Sequence, residues 1–155
     1  MMECCRREVQ ASHESMRRWI GGIESREGRN ALRRFDDVLA SGLECVMPDG
    51  STFRKEELCA ILDSLYGAES NNDLIVEIPS VRVKQLGGGM WLVIYEHWQR
   101  SAREPAWRKR AISGILREHT ACENGLQWIH IHESGMLKGA PDSGSSEDAD
   151  TSGRG

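Results

Sequence analysis

The sequence predicts an α+β fold in which helices pack on one side of a curved antiparallel sheet. Apolar residues recur at helical spacing in the first part of the chain, and strand-like segments separated by turn signals fill the rest. This order, with helices first and then a run of strands that includes one early helix, is typical of the α+β class.

Three stretches carry the helical pattern. Apolar residues stand at positions 16, 19, 20 and 23, then at 32, 35, 38 and 39, and then at 53, 58, 61, 62 and 65. Gly21-Gly22 weakens the first stripe, so we expect the first two stripes to form one kinked helix or two short helices, and Ser41-Gly42 suits the end of the second stripe. Residues 1–11 are polar, and we expect them to be a disordered N-terminus.

Strands are predicted at residues 43–47, 74–78, 81–83, 90–99, 109–119 and 128–136. Gly87-Gly88-Gly89 and Asn124-Gly125 are typical of hairpin turns, so the strands that follow each of them should fold back on the strands before. We expect one α+β domain over residues 12–137 and a disordered acidic, Gly- and Ser-rich tail over residues 138–155.

Charge and composition exclude several classes of protein. The formal net charge of −4 argues against a nucleic-acid binder, which would carry a strongly basic face. The N-terminal part of the sequence has no long apolar run, so we expect neither a signal peptide nor a membrane partner. The five cysteines have no metal or disulfide spacing, so we expect reduced thiols in the cytoplasm, with no metal and no cofactor.

The long predicted strand over residues 90–99 is apolar on both faces. One face would carry Trp91, Val93, Tyr95, His97 and Gln99, and the other would carry Leu92, Ile94, Glu96 and Trp98. Because the helices can cover only one face, we expect a second subunit to cover the other and to give a homodimer. The alternative is a single sheet with a few exposed apolar residues, which is common in monomers.

The last predicted strand carries an unusual pair of imidazoles. Trp128, His130 and His132 recur at every second residue, so we expect them to share one face of the sheet. A plain core strand would place Val, Leu or Ile there. The pair indicates either a polar pocket or a buried hydrogen-bonded seam.

Three segments resemble the nuclear-transport-factor-2-like superfamily, in particular its SnoaL-like small domains. They are the Pro48-Asp49-Gly50 turn with its following helix, the Tyr95-Glu96-His97-Trp98-Gln99 strand and the closing residues 128–135. The closing strand also resembles that of the association domain of calcium/calmodulin-dependent protein kinase II. The resemblance implies a cone-shaped barrel whose curved antiparallel sheet wraps around the N-terminal helices and leaves an open pocket.

The superfamily contains cofactor-free enzymes as well as ligand-binding and assembly domains. In the kinase association domain, basic residues of the central strands line a pocket for small carboxylates. The matching positions are His97, which departs from the arginine found there, and Arg117. A slip of one residue in strand register would replace Arg117 by Glu118, and the sequence leaves this choice open.

We therefore expect a small-molecule-binding or assembly domain of the SnoaL-like type with a polar-lined pocket. The predicted ligand-binding residues are Trp91, Tyr95, His97, Arg117, Trp128, His130 and His132. The alternative is a cofactor-independent isomerase, dehydratase or hydrolase, with His130, His132 and Tyr95 as candidate acid–base groups. Two further alternatives are a metal site at the histidines, for which no acid on the same face is evident, and a purely structural role.

Overall fold

The computed structural model describes residues 1–28, 30–135 and 137–138, the last two by their backbone alone. Apart from Lys138, the predicted tail over residues 138–155 lies outside the described residues. The helices are α1 (Met2–Ile20), α2 (Ala31–Val38) and α3 (Lys55–Ser64). The strands are β1 (Leu39–Val46), β2 (Thr52–Phe53), β3 (Ile75–Glu77), β4 (Val81–Gly87), β5 (Met90–Arg100), β6 (Arg108–Glu118), β7 (Leu126–Glu133) and β8 (Leu137–Lys138).

The predicted α+β class is confirmed: the helices lie on one side of a curved, unclosed sheet, in a cone-like arrangement. The strand order is β2–β1–β7–β6–β5–β3, with β4 also paired to β5 and β8 paired to β6. All of these pairs are antiparallel except β1 with β7, which run parallel. A parallel pair needs a long connection, and α3 and five strands separate β1 from β7 along the chain.

The first helix is longer than the sequence predicted. Residues 2–11, expected to be disordered, form the first half of α1. Cys5 and Val9 are fully buried there and extend the apolar stripe toward the N-terminus. The carboxylate of Glu8 is also fully buried, although the sequence pattern assigns it to the surface. Hydrogen-bond donors from Arg34 and Trp128, on other elements, bind this carboxylate.

The second helix is shorter than predicted. The side chain of Asn30 accepts a hydrogen bond from the backbone of Arg33 and caps the start of α2, which already ends at Val38. Ser41-Gly42 therefore lies inside β1 rather than at the end of a helix. Leu39 and Leu43 are four residues apart, so the alternation of a strand sends both to the core, and the register of β1 against β7 shifts between Leu39 and Glu44.

The long strand β5 separates two faces as the sequence predicted. Trp91, Val93, Tyr95 and His97 are buried on the concave face, which the helices cover. On the opposite, convex face, Leu92 and Ile94 are half-buried and Glu96 is exposed. The convex face thus keeps apolar side chains that no described residue covers fully.

Candidate functional site

A β-bulge in β7 decides where the closing histidines point. Leu116 of β6 pairs with Trp128, whereas its neighbour Ile115 pairs with His130, so Ile129 is an extra residue in β7. Neighbouring residues of a strand point to opposite faces, and so do their partners. The expectation that Trp128 shares a face with His130 and His132 is therefore wrong.

The two imidazoles lie on the convex face, away from the helices. His130 is half-buried beside its partner Ile115, and His132 is exposed beside Ser113. Trp128 is buried on the concave face, where its ring lies over Gly114. A Cβ atom at Gly114 would stand 2.5 Å from this ring, so only glycine leaves the indole enough room.

The register between β5 and β6 also corrects the prediction for Arg117. Arg117 pairs with Met90 at one end of β5, is exposed and donates a hydrogen bond of 2.8 Å to Gln127. The residue opposite His97 is Arg110, seven positions earlier in the chain. An 11-residue antiparallel strand puts these two arginines near opposite ends of β6, which sequence matching without a register cannot distinguish.

A buried polar cluster joins helix α1 to the middle of β5. A hydrogen bond of 2.8 Å links Nε2 of His13 to the hydroxyl of Tyr95, and the rings of His13 and His97 lie 4.8 Å apart. His13, Tyr95 and His97 are only 7%, 5% and 8% exposed. We call these three residues the concave triad.

The sequence predicted Tyr95 and His97 in the site but missed His13. The apolar stripe was counted only from Met16, although His13 stands between Val9 and Met16 at helical spacing on the same side of α1. A polar, titratable residue in a buried helical stripe is a signal that sequence analysis can use.

Two nitrogen atoms of the concave triad have no hydrogen-bond partner among the described residues. They are Nδ1 of His13 and Nδ1 of His97, and both are buried. An unsatisfied buried polar group costs about 1–3 kcal/mol. Folded proteins keep such groups where water or a ligand completes the hydrogen bonding.

The concave triad is uncharged at neutral pH. Burial lowers the pKa of His13 well below its ordinary value, and the neighbouring His97 and Arg110 act in the same direction. Burial, with a further contribution from Arg110, lowers the pKa of His97 to about 4. Burial and the nearby Glu133 raise the pKa of the Tyr95 hydroxyl well above 10.

An ion pair lies beside the concave triad at its more exposed side. Nη1 of Arg110 donates to Oε2 of Glu133 over 2.7 Å, and the two side chains are 26% and 17% exposed. Glu133 shares the concave face with Tyr95, because both pair with Ile112 of β6. Burial and Glu133 raise the pKa of the adjacent Cys45 thiol to about 12, so this thiol is also neutral.

The sequence matches one known family over most of its length. Residues 12–137 match the family described as "Sucrose-6-phosphate phosphohydrolase C-terminal". The chain belongs to this family. No curated protein matches the sequence of this family member.

Solved structures of nuclear-transport-factor-2-like proteins share the fold of this family member, and this is the fold that the sequence predicted. An NTF2-like protein of unknown function from Pseudomonas aeruginosa is 24% identical, with a TM-score of 0.73 over 84% of this chain and 97% of that one. The association domain of C. elegans CaMKII is 13% identical, with a TM-score of 0.63 over 86% and 95%. A hexachlorocyclohexane dehydrochlorinase is 7% identical, with a TM-score of 0.55 over 88% and 90%. These likenesses establish the fold.

This family member has a second buried polar cluster, centred on Glu8 of α1. Its carboxylate accepts hydrogen bonds of 2.8–3.0 Å from the side chains of Ser12, Arg34, Asn124 and Trp128. We call this set the Glu8 network. Trp128, predicted to bind a ligand, donates its indole N–H to this network and so contributes to a fully partnered structural contact.

Two surface cavities lie apart from the concave triad. One of about 990 Å³ lies along α2 and includes Arg33, Asp36 and Ala121, and one of about 150 Å³ includes Ile20, Leu74 and Arg100. Among the described residues, no three His, Cys, Asp or Glu side chains meet in a way that could hold a metal ion. Within the same part of the chain, no helix is both long and apolar enough to cross a membrane.

Proposed function

We propose that this protein binds a small molecule at the concave triad, His13, Tyr95 and His97, with the Arg110–Glu133 ion pair beside it. The observation that supports this most directly is the pair of buried Nδ1 atoms without a partner. Each is a hydrogen-bonding position on a rigid element, since His13 is held by α1 and His97 by the middle of β5. A ligand that bonds to both would remove the cost of leaving them unsatisfied.

The surroundings have the character of a small-molecule site. Apolar side chains of the same face, Val81, Val93 and Ile112, are buried next to Tyr95 and His97 on β4, β5 and β6. Ligand sites combine such apolar walls with a few polar groups in fixed positions. Of the predicted ligand-binding residues, Tyr95 and His97 remain in this proposal.

The description of the family suggests the first compounds to test. It names the C-terminal part of an enzyme that acts on sucrose 6-phosphate. Sucrose and smaller polyols are therefore reasonable first probes for this domain. Arg110 and Glu133 are more exposed than the triad beside them, so we expect a ligand to enter from their side, and the panel should include compounds smaller than a disaccharide.

The proposal can be tested by thermal unfolding of the purified protein with a panel of sugars, polyols and small carboxylates. A ligand present at 100 times its dissociation constant stabilises the native state by about 2.7 kcal/mol. For a chain of this length we expect the midpoint to rise by roughly 5–10 °C. His97→Leu, which removes one Nδ1 atom, should lose this rise.

His132→Ala is the matched control for His97→Leu. It also removes an imidazole, but from the exposed convex face. We expect this variant to respond to ligand as the wild type does. An equal loss of response in both variants, or no response of the wild type to any member of the panel, would refute a binding site at the concave triad.

A second candidate function, cofactor-independent acid–base catalysis, is favoured by the hydrogen bond between His13 and Tyr95. The lowered pKa of His13 keeps its imidazole unprotonated at pH 7 and so able to accept a proton. In the tautomer in which Nε2 of His13 donates to Tyr95, the Tyr95 hydroxyl can donate to a developing oxyanion. Such a pair suits proton transfer next to a carbonyl, as in isomerases and dehydratases.

Catalysis can be distinguished from binding by hydrogen exchange of bound carbonyl compounds in D₂O, followed by NMR. A catalytic His13 predicts exchange at the carbon next to the carbonyl, and His13→Gln should abolish the exchange. Binding without exchange in the wild type would leave the protein a binding domain.

We further propose that the convex face of the sheet forms a homodimer interface. One row across this face runs from β1 to β4 through the paired positions Glu44, His130, Ile115, Leu92 and Lys84. Its centre is apolar and its ends carry opposite charges. An association domain among the solved structures of this fold adds support for an assembly role.

The charges at the two ends of this row favour one orientation of the partner. A two-fold axis that runs along the strands places Glu44 of one subunit opposite Lys84 of the other, with Arg82 of β4 close by. An axis across the strands would instead bring like charges together. The face is therefore complementary to itself in only one of these two arrangements.

The dimer can be tested by sedimentation equilibrium. Leu92→Asp should give monomers, because it places a charge at the apolar centre of the interface. Glu44→Lys should weaken the dimer, and the double variant with Lys84→Glu should restore it. Glu56→Lys, an equivalent change on the exposed surface of α3, should have no effect. A monomeric wild type would refute the proposal.

A further inference from the structure

We propose that the concave site accepts an uncharged ligand with hydroxyl groups, and that it excludes anions. This inference rests on the proposed binding function, and it specifies the chemical class of the ligand. It differs from the expectation of a carboxylate ligand that follows from the resemblance to the kinase association domain.

Arg110 already pairs with a carboxylate at this site. It is the cation opposite His97, and its guanidinium pairs with Glu133 over 2.7 Å on the same face. An anion that bound Arg110 would lie beside the Glu133 carboxylate. Repulsion between the two negative charges would offset the attraction to Arg110, so the anion gains little.

Removing an anion from water has a high cost at this site. The triad is less than a tenth exposed, and its strand neighbours Val81, Val93 and Ile112 are apolar. Burial of a charge without a matching partner is much more costly than burial of a hydroxyl group that finds a hydrogen bond. His13 and His97 are neutral at pH 7, so neither supplies the matching positive charge.

The hydrogen bonds that the triad offers are of a type that hydroxyl groups match. A neutral imidazole has one donor and one acceptor nitrogen. If Tyr95 donates to Nε2 of His13, then Nδ1 of His13 carries the proton and is a donor. If Nε2 donates to Tyr95 instead, Nδ1 is an acceptor. Hydroxyl groups both donate and accept, so they match either tautomer, whereas a carboxylate matches only donors.

Pairs of probes that differ mainly in charge test this inference. We would compare glycerol with glycerate, glucose with gluconate and sucrose with sucrose 6-phosphate, by calorimetry between pH 6 and pH 9. We expect the neutral member of at least one pair to bind at least tenfold more tightly than its anion, with an affinity that does not change over this pH range. His97→Leu should abolish this binding, and His132→Ala should preserve it.

Glu133→Gln provides a sharper form of the test. It keeps the shape of the side chain and a hydrogen-bond acceptor for Arg110, but it removes the negative charge. Glu133 would then no longer offset the positive charge of Arg110, so we expect the anionic member of the preferred pair to bind at least tenfold more tightly than it binds to the wild type.

Three results would contradict the inference, and they differ in what else they refute. Tighter binding of the anions to the wild type, strengthening as the pH falls, would overturn the uncharged class and leave the binding function intact. An unchanged anion affinity in Glu133→Gln would refute the argument from charge balance. No binding of any of the six probes to the wild type would refute the binding function as well.

Discussion

Helix α1 contributes to two buried polar clusters that differ in one respect. The Glu8 carboxylate receives four side-chain hydrogen bonds, whereas His13, little more than one turn further along, leaves its Nδ1 atom without a partner. A satisfied buried group stabilises the fold, and an unsatisfied one reduces stability until something completes it. The difference separates a structural contact from a candidate binding site on the same helix.

The largest expected effect is on the Glu8 network. Glu8→Ala removes the acceptor of the buried Trp128 indole and the buried one of the two carboxylates that pair with Arg34. We expect a loss of about 3–5 kcal/mol in the free energy of unfolding. Chemical denaturation measures this loss. Glu14→Ala, which breaks an exposed pair with Arg17 on the same helix, should cost less than about 1 kcal/mol. Similar losses in both variants would contradict a structural role specific to Glu8.

The next effect is the dependence of stability on pH. The pKa of His97 is about 4 in the native state and 6.5 in the unfolded chain, so the unfolded state takes up a proton first as the pH falls. Stability should therefore be fully retained above pH 6.5 and should decrease between pH 6.5 and 4. The shift corresponds to about 3 kcal/mol.

Denaturation of wild type and His97→Leu across this range isolates the contribution of His97. The variant should show a shallower decrease of stability below pH 6.5, because it has lost the group that the unfolded chain protonates. Parallel curves for the two proteins would show that His97 is not held neutral by burial.

The smallest effect is expected at neutral pH for the concave triad itself. His97→Leu removes an unsatisfied polar atom from an apolar wall, so we expect the free energy of unfolding to change by less than about 1 kcal/mol. Chemical denaturation at pH 7.5 checks this value. A loss as large as that of Glu8→Ala would make His97 a structural residue and remove the contrast between the two clusters.

The sequence was informative where one segment determines the outcome. The alternation of β5 correctly separated Tyr95 and His97 from Leu92 and Ile94, because a regular strand has a fixed period. The α+β class followed from the order of the elements in the same way.

The sequence was misleading where an irregularity or a distant partner decides. One extra residue, Ile129, puts His130 and His132 on the opposite face of the sheet from Trp128. No local sequence pattern indicates this bulge. Arg117, with Glu118 as its alternative, was matched to the position that Arg110 occupies opposite His97, because the register between β5 and β6 depends on both strands. The buried Glu8 depends on donors up to 120 positions away in the chain.

The account depends most on the Nδ1 atoms of His13 and His97, and ¹⁵N NMR of the imidazole side chains observes them directly. On saturation with the polyol that stabilises the protein most, we predict that the Nδ1 resonances of His13 and His97 shift. The resonances of His130 and His132 on the convex face should stay unchanged. Shifts at His130 or His132, with none at His13 and His97, would contradict the account.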